Sequence, residues 1–263
     1  MLKIIAVSNE KGGVAKTTTT LSLGAALVDM GYRVLLIDLD AQANLTLSLG
    51  FEPGDDERTS SEVMLDNAPL LNARYKTDVE NLDLVQSNSR IETCEQFLPV
   101  RTNYTAILQR AIAAMLESAS YDFILLDCPP AIGAITQNAL VAADLLLIPT
   151  QAEYFSAYAL RNMMGLIRQV RESDNPGLAY RILVTMLDKR NRTHRNIHEQ
   201  LRSTFGEGVF DTVIEIDTKL RESPIAGLPI SRYKPGARGT TQYRVLAEEL
   251  IEYAKETENK QPA

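Results

Sequence analysis

Seven short runs of apolar and β-branched residues recur along the chain, at positions 3–8, 33–38, 82–86, 123–127, 145–149, 181–186 and 209–214, and none shows the polar alternation of a one-sided strand. Strands without a polar face are buried on both faces, which is the situation of a parallel sheet covered by helices. The stretches 16–30, 104–118, 157–172, 195–205 and 243–255 supply such helices, because their apolar residues recur with a helical period. The expected fold is α/β, a mostly parallel twisted sheet of about seven or eight strands with helices on both faces.

At 263 residues, 45% hydrophobic and 23% charged, the chain can bury a sizeable core and is not disordered, collagenous or coiled coil. No repeat or low-complexity linker divides it, so one domain over 1–255 is expected, followed by a polar, frayed tail over 256–263. Residues 52–59, with Pro53, Gly54 and four acids, read as a surface loop. Two cysteines, Cys94 and Cys128, are too few for a disulfide framework and fit a reducing cytosol. The opening apolar run breaks too soon for a signal peptide or a membrane span, and a cytoplasmic location is expected.

The first run ends in Ser8-Asn9-Glu10-Lys11-Gly12-Gly13-Val14-Ala15-Lys16-Thr17-Thr18, and a helical pattern follows at once. Strand, glycine-rich loop and helix N-terminus together present backbone N–H groups and a positive dipole end to phosphate oxygens. Lys16 is placed to reach the β and γ phosphates, and the Thr17 hydroxyl to hold Mg²⁺. Glu10 and Ala15 occupy the two glycine positions of the generic phosphate-loop pattern. A Cβ at residue 15 is tolerable at φ < 0 and costs about 1–2 kcal/mol in the left-handed region, so φ < 0 with intact binding is expected.

Two further runs end in acids. Asp38 and Asp40 close the second, where α/β sheets place ligands, and Asp127 closes the run Phe123-Ile124-Leu125-Leu126 in the manner of a Walker B strand, which would hold Mg²⁺ through its water shell. Cys128 reads as a small packing residue. His194 and His198 have a metal-ligand spacing but lack a third ligand, so no metal is assigned to them.

Lys-Gly-Gly-x-x-Lys-Thr-Thr after a first strand resembles the deviant phosphate loop of the ParA/MinD family of partitioning and positioning ATPases, whose signature lysine corresponds to Lys11. The resemblance extends through Asp38-Leu39-Asp40-Ala41-Gln42-Ala43-Asn44, Ile148-Pro149-Thr150-Gln151-Ala152-Glu153, Thr185-Met186-Leu187-Asp188 and Arg221-Glu222-Ser223-Pro224, or about residues 3–251. It implies ATP and Mg²⁺ as cofactors. Nucleotide contacts from Lys11 to Thr18 follow, with Lys11 reaching across a dimer to the partner's phosphates. Asp40 would orient the attacking water, Asp38 would support the metal and lysine network, and Met186 and Asp188 would pack around the adenine.

The net charge is −7, yet positions 181–244 carry 12 Lys and Arg against 7 Asp and Glu. Such a local excess suits phosphate backbones. Soj-like relatives bind DNA without sequence preference through these regions, which implies Arg190, Arg192, Lys219 and Arg221 as DNA contacts. With the first strand starting at residue 3, no operator-reading helix-turn-helix is expected before it. The last helix is acidic at Glu248, Glu249, Glu252 and Glu256, unlike a membrane-surface helix. The resemblance thus implies a nucleoid-associated ATPase that forms a homodimer with ATP, binds non-specific double-stranded DNA, and is reset by a ParB-like or other cargo adaptor. A membrane-cycling MinD-like protein and a metabolic phosphate-loop enzyme are the alternatives.

Overall fold

The computed structural model describes residues 2–52, 54, 58–154 and 156–260, with backbone alone at 157 and 258–260. Residues 53 and 55–57 of the expected surface loop, and 261–263 of the expected tail, lie outside the described residues. Eight strands make one sheet: β1 Lys3–Val7, β2 Val34–Asp38, β3 Arg74–Lys76, β4 Leu82–Val85, β5 Phe123–Asp127, β6 Leu145–Gln151, β7 Ala179–Leu187 and β8 Val209–Glu215. The order is β3-β4-β2-β5-β1-β6-β7-β8, and β3 alone runs antiparallel to its neighbour. The fold class expected from the sequence is the observed one. The eighth strand, β3, escaped the sequence reading because three partly exposed residues at a sheet edge carry no periodicity.

Alternate residues of the central strands face opposite helix layers. Leu35 and Ile37 of β2, Ile124 and Leu126 of β5, and Leu146 and Ile148 of β6 pack beneath the helices Ile107–Leu116, Ala134–Ala142 and Ser156–Ser173. Val34, Leu36, Phe123, Leu125, Leu145 and Leu147 pack beneath the helices Lys16–Asp29 and Arg238–Lys260. Each such aliphatic side chain taken out of water contributes roughly 1.5–3 kcal/mol, which is why these runs tolerate no polar residue. Tyr243 is fully buried in the second layer, and its hydroxyl lies 3.0 Å from that of Thr19, joining the last helix to the first.

The helices Ala134–Ala142 and Arg238–Lys260 also depart from the sequence expectation. The helix Ala134–Ala142 was not foreseen, because almost all its residues are buried and no polar face remains to reveal a period. The last helix runs from Arg238 to Lys260, so the tail expected from 256 is helical as far as 260. The Thr257 hydroxyl donates back to the Tyr253 and Ala254 carbonyls there.

Candidate functional site

The strand order fixes where the chemistry can gather. β2, β5 and β1 are adjacent, with Val7, Asp127 and Asp38 level across the three strands, so the loops leaving their C-terminal ends meet. β1 also borders β6 on its other side, which makes its C-terminal end a crevice of the kind that binds ligands in open α/β sheets. The loop Ser8–Ala15 leaves β1 at that crevice and runs into the helix that starts at Lys16.

The loop is laced to β6 and β7. Asn9 Nδ2 donates to the Pro149 carbonyl at 2.8 Å while its Oδ1 accepts from the Lys11 amide. Gln151 Nε2 donates to the Gly13 carbonyl at 3.0 Å, and the Thr185 hydroxyl to the Val14 carbonyl at 3.0 Å. Asn162, from the helix above, donates to the Glu10 carboxylate at 2.8 Å. None of Asn9, Gln151, Asn162 or Thr185 was assigned a role from sequence. Their partners are 138 to 171 residues away for Gln151 and Thr185, so no local pattern signals them.

Ala15 adopts φ 68° and ψ 34°, in the left-handed region, which overturns the expectation of φ < 0. The turn from loop to helix requires that geometry, and Gly13 nearby is also left-handed at φ 75°. An alanine there carries about 1–2 kcal/mol of strain. An ideal Cβ on Gly12 or Gly13 would meet no atom within 4 Å, so there is open space beside the loop at both positions.

Lys16 is buried, with its Nζ 3.4 Å from the Lys11 carbonyl. Burial lowers its pKa, and the Asp127 and Asp40 carboxylates oppose that by favouring the charged form. The Thr17 hydroxyl donates to Asp127 Oδ2 at 2.7 Å, and that of Thr20 to Oδ1 at 3.0 Å. Burial, and next the neighbouring Asp38, push the Asp127 carboxyl above the ordinary carboxylate range. The arrangement is short of positive charge. A hydroxyl and a carboxylate side by side, with no cluster of three or more His, Cys, Asp or Glu ligands among the described residues, fit Mg²⁺ held jointly with phosphates and waters.

Asp38 is bonded to the turn that follows it. Its Oδ1 accepts from the Asp40 amide, and its Oδ2 from the Thr46 amide at 2.9 Å and the Thr46 hydroxyl at 2.7 Å. Fully buried and accepting these three hydrogen bonds, it braces the turn that carries Asp40. Asp40 stands half-buried at the mouth, accepting only from the Gln42 amide of its own turn among the described residues.

Lys11 does not point into its own site. Its Nζ donates to Glu153 Oε2 at 2.5 Å and Gln151 Oε1 at 3.3 Å. Met186, at φ 51° in an irregularity of β7, lines a recess beside the loop with Ala15, Thr18, Ile216, Asp217 and Arg221. Asp188 does not line that recess, and its carboxylate accepts from the Arg190 amide and guanidinium. Arg221, expected at DNA, stands at the recess rim. Arg190 and Arg192 follow β7, and Lys219 follows β8; since these strands are parallel neighbours, the three sit at one end of the sheet edge. Of them, Arg190 pairs with Asp188 and Lys219 with Glu222, both at the surface. Cys94 and Cys128 are buried free thiols, and His194 Nδ1 accepts from the Asp188 amide.

A family model described as an AAA domain matches residues 2–180. The sporulation initiation inhibitor protein Soj of Bacillus subtilis is 39% identical over 251 residues, covering 95% of this chain and 98% of that protein. The chromosome partitioning protein ParA of Caulobacter vibrioides is 35% identical over 260 residues, covering 98% and 97%. Among solved structures, Cobyrinic Acid a,c-diamide synthase from Mycobacterium smegmatis with bound ADP and magnesium superposes with a TM-score of 0.84 at 32% identity, covering 97% of this chain and 96% of that one. With the site in place at the C-terminal ends of β1, β2 and β5, the chain belongs to the ParA/Soj family of the ParA/MinD superfamily.

Proposed function

We propose that the chain is an ATP- and Mg²⁺-dependent positioning ATPase whose nucleotide state controls dimerisation and DNA binding. The observation that carries this reading is the convergence of Lys16, the Thr17–Asp127 pair and Asp40 on one loop. The open amides of residues 11–16 and the dipole of the Lys16–Asp29 helix hold the triphosphate, and Lys16 neutralises its β and γ oxygens. Mg²⁺, when bound, supplies charge neutralisation between those phosphates. Thr17 and Asp127, already paired, would hold it, and Asp40 would orient or activate the attacking water.

Lys11 acts in trans in this reading. Leaving Glu153 costs little, since the pair is partly exposed and worth about 0–1 kcal/mol, so a partner's triphosphate outcompetes it. Two copies meeting across two nucleotides then bring two sets of Arg190, Arg192 and Lys219 to one duplex. Hydrolysis, stimulated by a ParB-like or other cargo adaptor, separates the copies, and the protein cycles on the nucleoid in the cytoplasm, moving a chromosome, a plasmid or another cargo.

A membrane scaffold is disfavoured. No helix among the described residues is long and apolar enough to cross a membrane, and the last helix spends Leu246, Leu250 and Ala254 on the core. A metabolic reading rests on the name of the Mycobacterium protein, a synthase; turnover of ATP with no added acid substrate, rising with DNA and an adaptor, separates the two.

Lys16→Ala is expected to abolish ATP binding, whereas Lys11→Ala keeps ATP affinity within a few-fold and blocks the ATP-dependent doubling of mass. Nucleotide titration and light scattering on both variants check this; a Lys11→Ala protein that dimerises normally removes the trans role.

A further inference from the structure

The segment just before the Ile107–Leu116 helix holds an acid that neither the sequence reading nor the proposed chemistry uses. Ile91, Cys94 and Leu98, spaced as one face of a helical stretch, are fully buried and anchor the helix Glu92–Phe97 to the core. Glu95, on that anchored helix, reaches the far end of the loop that follows Asp127. Its Oε2 accepts from the Ala134 amide at 2.6 Å and its Oε1 from the Ile135 amide at 3.2 Å. A carboxylate thus closes the positive end of the helix Ala134–Ala142, whose own N-cap residue, Gly133, has no side chain to do so.

Gly133 itself has an extended backbone, φ −132°, so the glycine is not there for conformational freedom. It is there for space: a Cβ on Gly133 would lie 2.1 Å from Glu95 Oε2 and 2.5 Å from Cδ. With Glu95 in this position, only a glycine at 133 leaves room for its carboxylate. Between Asp127 and this clamp lie residues 128–133. They are pinned at one end by the bonds of Asp127 to Thr17 and Thr20, and near the other by the Thr136 hydroxyl on the Ala131 carbonyl, 2.5 Å. The Cys128 amide bonds the Val7 carbonyl at the root of the phosphate loop.

We infer that Glu95 is a positioning residue for ATP hydrolysis, holding the loop 128–133 against the nucleotide site through the N-terminus of the helix Ala134–Ala142. This rests on the proposed ATPase reading. Glu95 touches no nucleotide. It fixes the exit of the strand that carries Asp127, and a reacting geometry displaced by even a fraction of an ångström loses rate before it loses binding.

The test uses the full chain as wild type, Glu95→Gln, Glu95→Ala, Gly133→Ala and the double variant Glu95→Ala with Gly133→Ala, measuring ATP affinity, steady-state turnover and thermal midpoint. Glu95→Ala is expected to lower kcat about tenfold with ATP affinity within about twofold, a split that lost folding alone would not give. Glu95→Gln recovers a large part, because an amide oxygen still accepts from one backbone N–H. Gly133→Ala displaces a flexible side-chain end and reproduces the Glu95→Ala loss, and the double variant is no worse than either single one. Unchanged kcat in folded Glu95→Ala overturns the inference, as do losses that multiply in the double variant. A wild-type chain without ATP turnover overturns the functional reading instead.

Discussion

Ala15 shows how one residue can contradict an expectation without harming the site. Its left-handed backbone is imposed by the turn into the Lys16–Asp29 helix, and the loop keeps that shape because Asn9, Gln151 and Thr185 hold it from β6 and β7. The strain of about 1–2 kcal/mol is offset in an Ala15→Gly variant by the greater freedom of glycine in the unfolded chain, about 0.5–1 kcal/mol. Ala15→Gly is therefore expected to raise the thermal midpoint by roughly 1–3 °C, with ATP affinity unchanged. Thermal unfolding with and without ATP measures both, and a lowered midpoint would show that the Ala15 conformation carries no strain. The candidate site was legible where its residues follow a fixed local order: Lys16, Thr17, Asp40 and Asp127 lie near one another, where the motifs put them, and their roles are those proposed above. What the sequence does not show for Asp38 and Asp188 is their hydrogen bonds, to Thr46 and to Arg190, which only the folded chain brings into view.

At the scale of elements, strands buried on both faces announce themselves, and the seven longer strands were readable from their runs of Val, Ile and Leu. The helix Ala134–Ala142 and the edge strand β3 were not, one because it is buried all round and the other because it is only three residues long. The joint between the first and last helices is also invisible in sequence, since Thr19 and Tyr243 are 224 residues apart. Tyr243→Phe keeps the ring in the core and removes that bond, with an expected cost of about 1 kcal/mol. Tyr243→Ala opens a cavity and costs about 3–5 kcal/mol. Denaturant unfolding of both should give that order; equal losses would mean that the hydroxyl contact, not packing, dominates the joint.

At the scale of the molecule, a chain of net charge −7 has no reason to meet DNA as a single copy, and the excess of basic residues is further reduced by ion pairs. Lys189 and Arg238 both pair with Glu215, Arg202 with Asp211, and Arg232 with Asp29. What remains at the ends of β7 and β8 is small, and in the proposed function doubling it by ATP-dependent pairing would make nucleotide state the switch for DNA binding. Asp40→Ala should hold ATP without turning it over and so accumulate the paired form. The most direct measurement is fluorescence anisotropy of this variant on two unrelated duplexes, with ATP and with ADP, across a salt series. Equal affinity for both duplexes is expected with ATP and none with ADP, log K falling by about 0.9 per phosphate contact with log salt, and the slope flattening by about one unit for each of Arg190, Arg192 and Lys219 replaced by Ala. Binding that is the same with ADP, a strong preference for one duplex, or no binding with ATP would contradict the account.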